Sequence, residues 1–142
     1  MSYYKVQTDG TRVLIDSDGK SNSLTEILTA SQTLTAADSG KTFLIGTDAI
    51  VIQLPATALG LEYTFINVGA DGNNTVTISP VDVDGIFGTI ANSAADSVAS
   101  GSDDDDWQNT KATSNKGDRC KIVADGTSGW YVAEGVGIWA SV

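Results

Sequence analysis

The stretch TLTAADSGKTFLIGTDAIVIQLPATALGLEYTFINV (Thr33–Val68) decides the fold, because it holds three apolar runs separated by turn-forming residues. In the second run, Ile50–Leu54, large apolar side chains stand at every second position. In the third run, Leu61–Val68, the side chains of Leu61, Tyr63 and Phe65 again alternate with residues that face the other way. This two-residue period predicts two half-buried β-strands.

The segment PATALG (55–60) joins these two strands. Pro55 removes a backbone donor at the end of the first strand, so the segment is predicted to be a turn rather than a helix. The connection is either a hairpin or a short crossover between two sheets. A half-buried strand needs cover on its apolar face, so a second sheet is expected from the rest of the chain.

Further strands are predicted after the central stretch. Residues 75–78 alternate again, and 119–124 with 130–133 form a hairpin around a loop that contains two glycines. Residues 135–142 are a candidate final strand. Many short strands with turns between them and little helix indicate an all-β, antiparallel β-sandwich of the jelly-roll type.

The chain of 142 residues is expected to be one sandwich domain, 30–142, preceded by an N-terminal arm, 1–29. The arm is too apolar for a free tail, and it should dock on its own domain, on a neighbouring subunit or on a larger assembly. At its end, Leu24, Ile27 and Leu28 have helical spacing behind Ser23, which predicts one or two helical turns over Ser23–Ala30. The arm residues that carry this expectation are Tyr3, Tyr4, Val6, Val13, Leu14 and Ile15.

The segment from about 92 to 117 is rich in Ser, Asp, Ala, Asn, Gly and Thr and contains one aromatic residue, Trp107. This composition predicts a long polar loop inserted in the sandwich, with Trp107 as its anchor. The run Asp103–Asp106 inside it could bind a hard cation through carboxylate oxygens, but a solvated acidic loop is the simpler interpretation.

The net charge of −10 argues against nucleic-acid binding, which needs Lys and Arg for phosphate contacts. No stretch is long and apolar enough to span a membrane, and the N-terminus lacks a signal-peptide pattern. The single cysteine, Cys120, cannot form an internal disulfide and is expected to be a buried small apolar residue. Neither a membrane nor a nucleic acid is therefore expected as a partner.

Enzymatic activity is not expected. The chain has no histidine, which removes the commonest general base and the usual serine and cysteine nucleophile systems. Acidic residues are plentiful, but no two of them stand out as a glycosidase pair. No glycine loop of the phosphate-binding type occurs, and no cofactor or metal ion is expected.

The aromatic residues near the C-terminus are candidate contact residues. Trp130 and Tyr131 are neighbours in a strand, so one should face the core and the other solvent or a partner. Trp139 could face either the core or the outside.

Three phrases, TLTAADSGKTFLI (33–45), IVIQLPATALGLEYTFINVG (50–69) and GDRCKIVADGTSGWYVAEG (117–135), resemble in order and style a β-sandwich domain of tailed-bacteriophage virion proteins. The resemblance covers roughly Thr33–Gly135 without the polar insertion. The matching positions are Leu34, Asp38, Gly40, Leu54, Pro55, Gly60, Tyr63, Phe65, Gly117, Asp118, Asp125, Gly126, Trp130, Tyr131 and Val132.

This resemblance implies no catalytic residues, because the shared positions are turns and core. Such domains occur in head decoration (cement) proteins and as modules of tail fibres. One small acidic domain with a short arm, without shaft repeats, favours a decoration protein on the outer surface of the capsid, made in the host cytoplasm. The resemblance implies a homotrimer with the major capsid protein as partner, and the arm residues and Trp107 are the candidate contacts.

Two alternatives remain open. The first is a tail-fibre or receptor-binding module that recognises a host surface glycan through outward aromatic residues such as Trp107 and through the acidic loop. The second, a small hydrolase, is disfavoured by the missing histidine.

Overall fold

The computed structural model describes residues 24–142 in full and, before them, the backbone of residues 3–6 and 12–15. The described residues form β-strands and one short 3-10 helix, Ala36–Asp38, so the predicted all-β class is confirmed. The strands are β1 (Tyr3–Val6), β2 (Arg12–Ile15), β3 (Thr25–Leu28), β4 (Gln32–Thr33), β5 (Thr42–Ile45), β6 (Ile50–Gln53), β7 (Glu62–Asn67), β8 (Val76–Ser79), β9 (Gly85–Ile90), β10 (Ser97–Asp103), β11 (Trp107–Asn109), β12 (Arg119–Ala124), β13 (Gly129–Val136) and β14 (Ala140–Ser141).

Two large sheets pack as the predicted sandwich. One has seven strands in the order β10-β9-β13-β12-β7-β5-β3, and the other has five in the order β14-β11-β8-β6-β4. Both sheets are mixed: β5 runs parallel to β3 and β7, whereas β12 pairs antiparallel with β7 and β13. The parallel pairs arise because β6 and β7 lie in different sheets, so the connection through Pro55 is a crossover and not a hairpin.

Aromatic and aliphatic side chains fill the space between the sheets. Phe43, Tyr63, Phe65 and Trp130 form a chain of rings with centroids 5.6–6.5 Å apart. The residues at alternate positions of β6 and β7 are buried as the period predicted. Trp130 is fully buried while its neighbour Tyr131 is 44% exposed, which confirms that the two face opposite ways.

The helix predicted over Ser23–Ala30 is wrong where the structure describes it. Residues 25–28 form β3, which pairs in parallel with β5 at the edge of the seven-stranded sheet. Leu28 is 3% exposed, but Leu24 and Ile27 are each 70% exposed, so these three residues do not share a buried helical face. The pairing with β5 outweighs the weak helical preference of a segment that contains two threonines.

The long polar loop predicted at about 92–117 is also wrong, because this segment contains β10 and β11. β10 pairs antiparallel with β9, and β11 lies between β8 and β14. Ser97 and Ala99 face inward, so small side chains take core positions that a sequence search for large apolar residues passes over. The aspartate run 103–106 forms the end of β10 and the turn to β11.

A buried polar cluster ties the two sheets together at one end of the sandwich. The Asn109 side chain on β11 accepts a hydrogen bond from Asn67 Nδ2 on β7 (2.9 Å). Its own Nδ2 donates to Asp118 Oδ2 (2.9 Å) and to the Ile138 carbonyl (3.0 Å). Asp118 also accepts from the Asn115 backbone N–H at 2.9 Å. The cluster is therefore a structural link, since each of these groups bonds within the chain.

Candidate interaction surface

Trp107 does not form a contact surface. It is fully buried, and its ring stacks on that of Trp139 with centroids 6.2 Å apart and 15° between the planes. Trp139 is likewise buried, at 2% exposure. The prediction that Trp107 contacts a capsid, a subunit or a glycan is therefore wrong for the folded chain, because β11 places this side chain in the core.

The six predicted arm residues lie on β1 and β2, which pair with each other as a two-stranded antiparallel ribbon. The register places Tyr3 opposite Ile15 and Tyr4 opposite Leu14. The side chains of residues 1–23 lie outside the described part of the chain, so the contacts expected of Tyr3, Tyr4, Val6, Val13, Leu14 and Ile15 stay predictions. A two-stranded ribbon is at best marginally stable alone in water, which agrees with the expectation that it docks.

The solvent-facing side of the seven-stranded sheet, here called the outer sheet face, carries three rows of side chains across its strands. The first row is apolar: Ile27, Leu44 and Ile66 stand side by side on β3, β5 and β7. After Arg119 on β12, the row continues to Val136 on β13. Ile27 and Val136 are exposed, and Leu44 and Ile66 are partly exposed.

The second row is polar and the third is apolar again. Thr42, Thr64, Lys121 and Glu134 follow one another in the second row, on strands β5, β7, β12 and β13. The third row begins with Glu62 on β7 and continues with the apolar or aromatic side chains of Val123, Tyr131 and Phe87 on β12, β13 and β9. The rings of Tyr131 and Phe87 stack with centroids 5.1 Å apart. The outer sheet face therefore alternates apolar, polar and apolar.

The charges on the outer sheet face cancel. Its two basic side chains pair with its two acidic ones: Arg119 Nε lies 3.2 Å from Glu134 Oε1, and Lys121 Nζ lies 3.3 Å from Glu62 Oε2. Residues 1–23 hold three basic and three acidic side chains, so the net charge of −10 lies entirely on the rest of the chain. The outer sheet face is a neutral, largely apolar surface on a strongly acidic protein.

The opposite face of the sandwich, on the five-stranded sheet, is more polar. Gln108 Nε2 donates to Thr77 Oγ1 at 2.9 Å in the middle of this face. Val51 on β6 lies beside Thr77 on β8, and its aliphatic side chain on this face is 41% exposed. The two faces of the sandwich therefore differ in character.

Seven of the 18 acidic residues lie in four loops at one end of the sandwich, here called the acidic end: 55–61, 80–84, 102–106 and 125–128. These loops contain seven aspartates and no basic residue. They are joined by hydrogen bonds from the Thr57 N–H to Asp84 Oδ2 (2.7 Å), from the Gly126 N–H to Thr57 Oγ1 (3.0 Å) and from the Asp104 N–H to the Asp84 carbonyl (3.2 Å). In the described part of the chain, no group of three or more acids or cysteines is placed to hold a metal ion.

Two titratable groups in the interior have structural roles. Cys120 is fully buried, and burial raises the pKa of its thiol to about 12, as expected for an apolar core residue. Near the start of β5, burial opposes ionisation of Asp38, but hydrogen bonds from Lys41 (2.9 Å) and Thr35 outweigh it and lower the pKa of Asp38. Lys41 also pairs with Glu26 at 3.1 Å.

Sequence reasoning missed the outer sheet face, although a signal for it was present. Leu44 and Ile66 stand at the alternate positions of strands whose other side is already apolar. When a strand of an antiparallel or mixed sheet has apolar residues on both sides, both faces of that sheet are expected to be covered by other parts of the protein or by a partner. What the sequence does not show is that Ile27, Leu44 and Ile66 line up in one row, because their register depends on the pairing of three strands.

Comparison with known proteins identifies no relative of this chain: no protein-family model, curated protein or solved structure matches it. Among the described residues, no helix has the length and apolar character needed to cross a membrane.

Proposed function

We propose that this chain is a structural virion protein that decorates the outer surface of a tailed-phage capsid and stabilises its shell. The observation that carries the proposal is the separation of a neutral, apolar outer sheet face from an acidic remainder. Such a division suits a protein that has one face buried against other proteins and the rest exposed to solvent. That the assembly is a phage virion is inferred from the resemblance of the strand and turn sequences to domains of phage virion proteins.

The mechanism is a multivalent clamp. Several copies held together contact several shell subunits at once, so each weak contact gains from a high effective concentration. The shell then opens only if several contacts break together. The N-terminal ribbon, with Tyr3, Tyr4 and Val6 on β1 and Val13, Leu14 and Ile15 on β2, is the proposed contact with the major capsid protein.

Immunogold electron microscopy of virions with antibody against this chain tests the location. Gold over the whole head is the expected result, and gold confined to the tail tip would favour the glycan-binding alternative. Unlabelled virions whose denatured protein profile also lacks the chain would reject both functions. A second test is capsid binding by the chain that lacks residues 1–23, since undiminished affinity would exclude the ribbon as the anchor.

The glycan-binding alternative now depends on a different residue. Trp107 is buried, but Tyr131 is exposed and stacked on Phe87, and an exposed ring can pack against the apolar face of a sugar. An open groove of about 560 Å³ near Pro55, Val81 and Val83 has no aromatic lining. Saturable, sugar-specific quenching of fluorescence that disappears in Tyr131→Ala would support this alternative, whereas a decoration protein should show none.

A further inference from the structure

We propose that the N-terminal ribbon, residues 1–15 with strands β1 and β2, docks on the outer sheet face of its own chain, over the apolar first row. This inference concerns the free chain and does not depend on the proposed capsid location. It is carried by the place where the arm joins the sheet, by the length of the connection and by the apolar character of both surfaces.

The arm joins the sandwich at the edge of the outer sheet face. The Leu24 carbonyl accepts a hydrogen bond from the Thr42 N–H at 2.7 Å, so the chain is held on the sheet from residue 24 onward. The next residues form β3, the edge strand of the seven-stranded sheet. β3 carries Ile27, the 70% exposed end of the first row. The arm is therefore anchored beside the apolar row that lacks cover.

The connection has a suitable length. Eight residues, 16–23, lie between Ile15 and Leu24. An eight-residue coil rich in Ser and Gly has an average span of about 15 Å and a maximum of about 30 Å. Two strand spacings of about 4.8 Å separate Ile27 on β3 from Ile66 on β7, so this part of the row lies within about 10 Å of the edge. The connection can therefore place the ribbon on the row without being fully extended.

The composition of the ribbon suits a covered position. Six of the eight residues of β1 and β2 are apolar, the other two being Lys5 and Arg12. A ribbon of two four-residue strands has only four residues on each side, so six apolar residues must occupy both sides. One side can cover the first row while the other remains for the shell contact proposed above.

The covalent connection favours the chain's own ribbon over a second copy or another protein. A short connection gives the ribbon an effective concentration on the order of 1 mM at the face, so a partner at about 1 μM would need roughly 1,000-fold higher affinity to displace it. The other surfaces within reach lack a comparable apolar row. The opposite face is centred on the polar pair of Gln108 and Thr77, and the acidic end carries seven aspartates.

NMR of the full chain with a nitroxide label attached to Thr8→Cys tests the contact, because the buried Cys120 takes no label. We expect the label to broaden the amide signals of the first row more than that of Val51 on the five-stranded sheet. The label belongs to the same chain as the row in this sample. A mixture of nitroxide-labelled chains without isotope and isotope-enriched chains without nitroxide should show no such broadening.

Trypsin cleavage after Arg12 measures the docked fraction independently, since cleavage follows the population of the open form. We expect the full wild-type chain to be cleaved about tenfold more slowly than Ile27→Glu, which places a charge under the ribbon. Because Ile27 is 70% exposed in the sheet itself, this change should not affect folding, which emission from the buried tryptophans checks. Val51→Glu is the matched control on the five-stranded sheet and should be cleaved like the wild type.

Three outcomes would overturn the inference. The first is broadening that is strongest on the five-stranded sheet or in the loops of the acidic end. The second is equal broadening in the mixed sample, which would show that the ribbon docks on another copy. The third is an equal rate of cleavage after Arg12 in the wild-type chain and in Ile27→Glu. None of these outcomes bears on whether the chain is found on the capsid.

Discussion

Replacement of Asn109 by leucine tests whether the buried polar cluster holds the two sheets together. Asn109 is fully buried, and its side chain makes three hydrogen bonds at 2.9–3.0 Å. Leucine has a similar shape but makes none of these bonds. The change therefore removes this partner from three polar groups while the packing stays nearly constant.

The expected cost follows from what remains bonded. The Ile138 carbonyl loses its bond to Asn109, whereas Asp118 Oδ2 keeps the Asn115 N–H and Asn67 Nδ2 keeps a longer bond of 3.4 Å to the Asn74 carbonyl. A buried polar group without a partner costs about 1–3 kcal/mol. With one full loss and two partial ones, we expect Asn109→Leu to lower the free energy of unfolding by about 3 kcal/mol.

Urea unfolding followed by tryptophan emission measures this free energy. For 142 residues the unfolding entropy is about 0.3 kcal/mol/K, so the same change should lower Tm by about 10 °C. Gln108→Leu is the control, because Gln108 is the neighbour of Asn109 on β11 and bonds Thr77 on the outside of the sheet. The control removes one hydrogen bond, to the buried Thr77 hydroxyl, and should cost about 1 kcal/mol, well below the loss expected for Asn109→Leu. Equal losses in the two variants would refute the assignment of a stabilising role to the cluster.

Three further predictions concern single sites. Cys120 should not react with Ellman's reagent in the folded chain and should react fully in denaturant, because its thiol is buried and its pKa is raised to about 12; fast labelling without denaturant would contradict this. Since the pKa of Asp38 is lowered in the folded state, its contribution to stability is present above its ordinary pKa of about 3.9 and is lost as the pH falls through the folded value. Lys41→Met should therefore flatten the acid limb of the plot of unfolding free energy against pH, and an unchanged limb would exclude this pair as its source. Gly129→Ala should lower Tm far more than Gly117→Ala, since both glycines have positive φ but an added Cβ meets the Gly85 backbone only at Gly129. Similar Tm values for the two variants would show that the clash with the Gly85 backbone does not determine the loss of stability.

The strand predictions succeeded where large apolar residues alternate. β6, β7 and the hairpin of β12 and β13 each have a buried side that their sequence marks with Ile, Tyr, Phe or Trp. Their alternation is local, so it can be recognised without knowledge of the neighbouring strands. The same reasoning correctly predicted that Trp130 and Tyr131 face opposite ways, and the structure shows that Trp130 is the buried one.

The predictions failed where a strand depends on its neighbours. β10 has the sequence SVASGSD, whose small and acidic residues have low strand preference, and it exists because β9 pairs with it. β3 has apolar residues at helical spacing, yet its backbone completes the edge of the seven-stranded sheet. Trp107 was assigned to the surface because its polar neighbours suggested a loop, but β11 directs its side chain into the core.

The sequence by itself determined the all-β class, the strands with alternating apolar residues, the buried cysteine and the acidic character of the chain. These properties depend on composition or on spacing within a few residues. Only the tertiary structure decided which strands lie side by side, and therefore which exposed residues form one surface. Ile27, Leu44 and Ile66 come from three strands up to 39 positions apart in the chain, and they form a row because parallel pairing fixes their register.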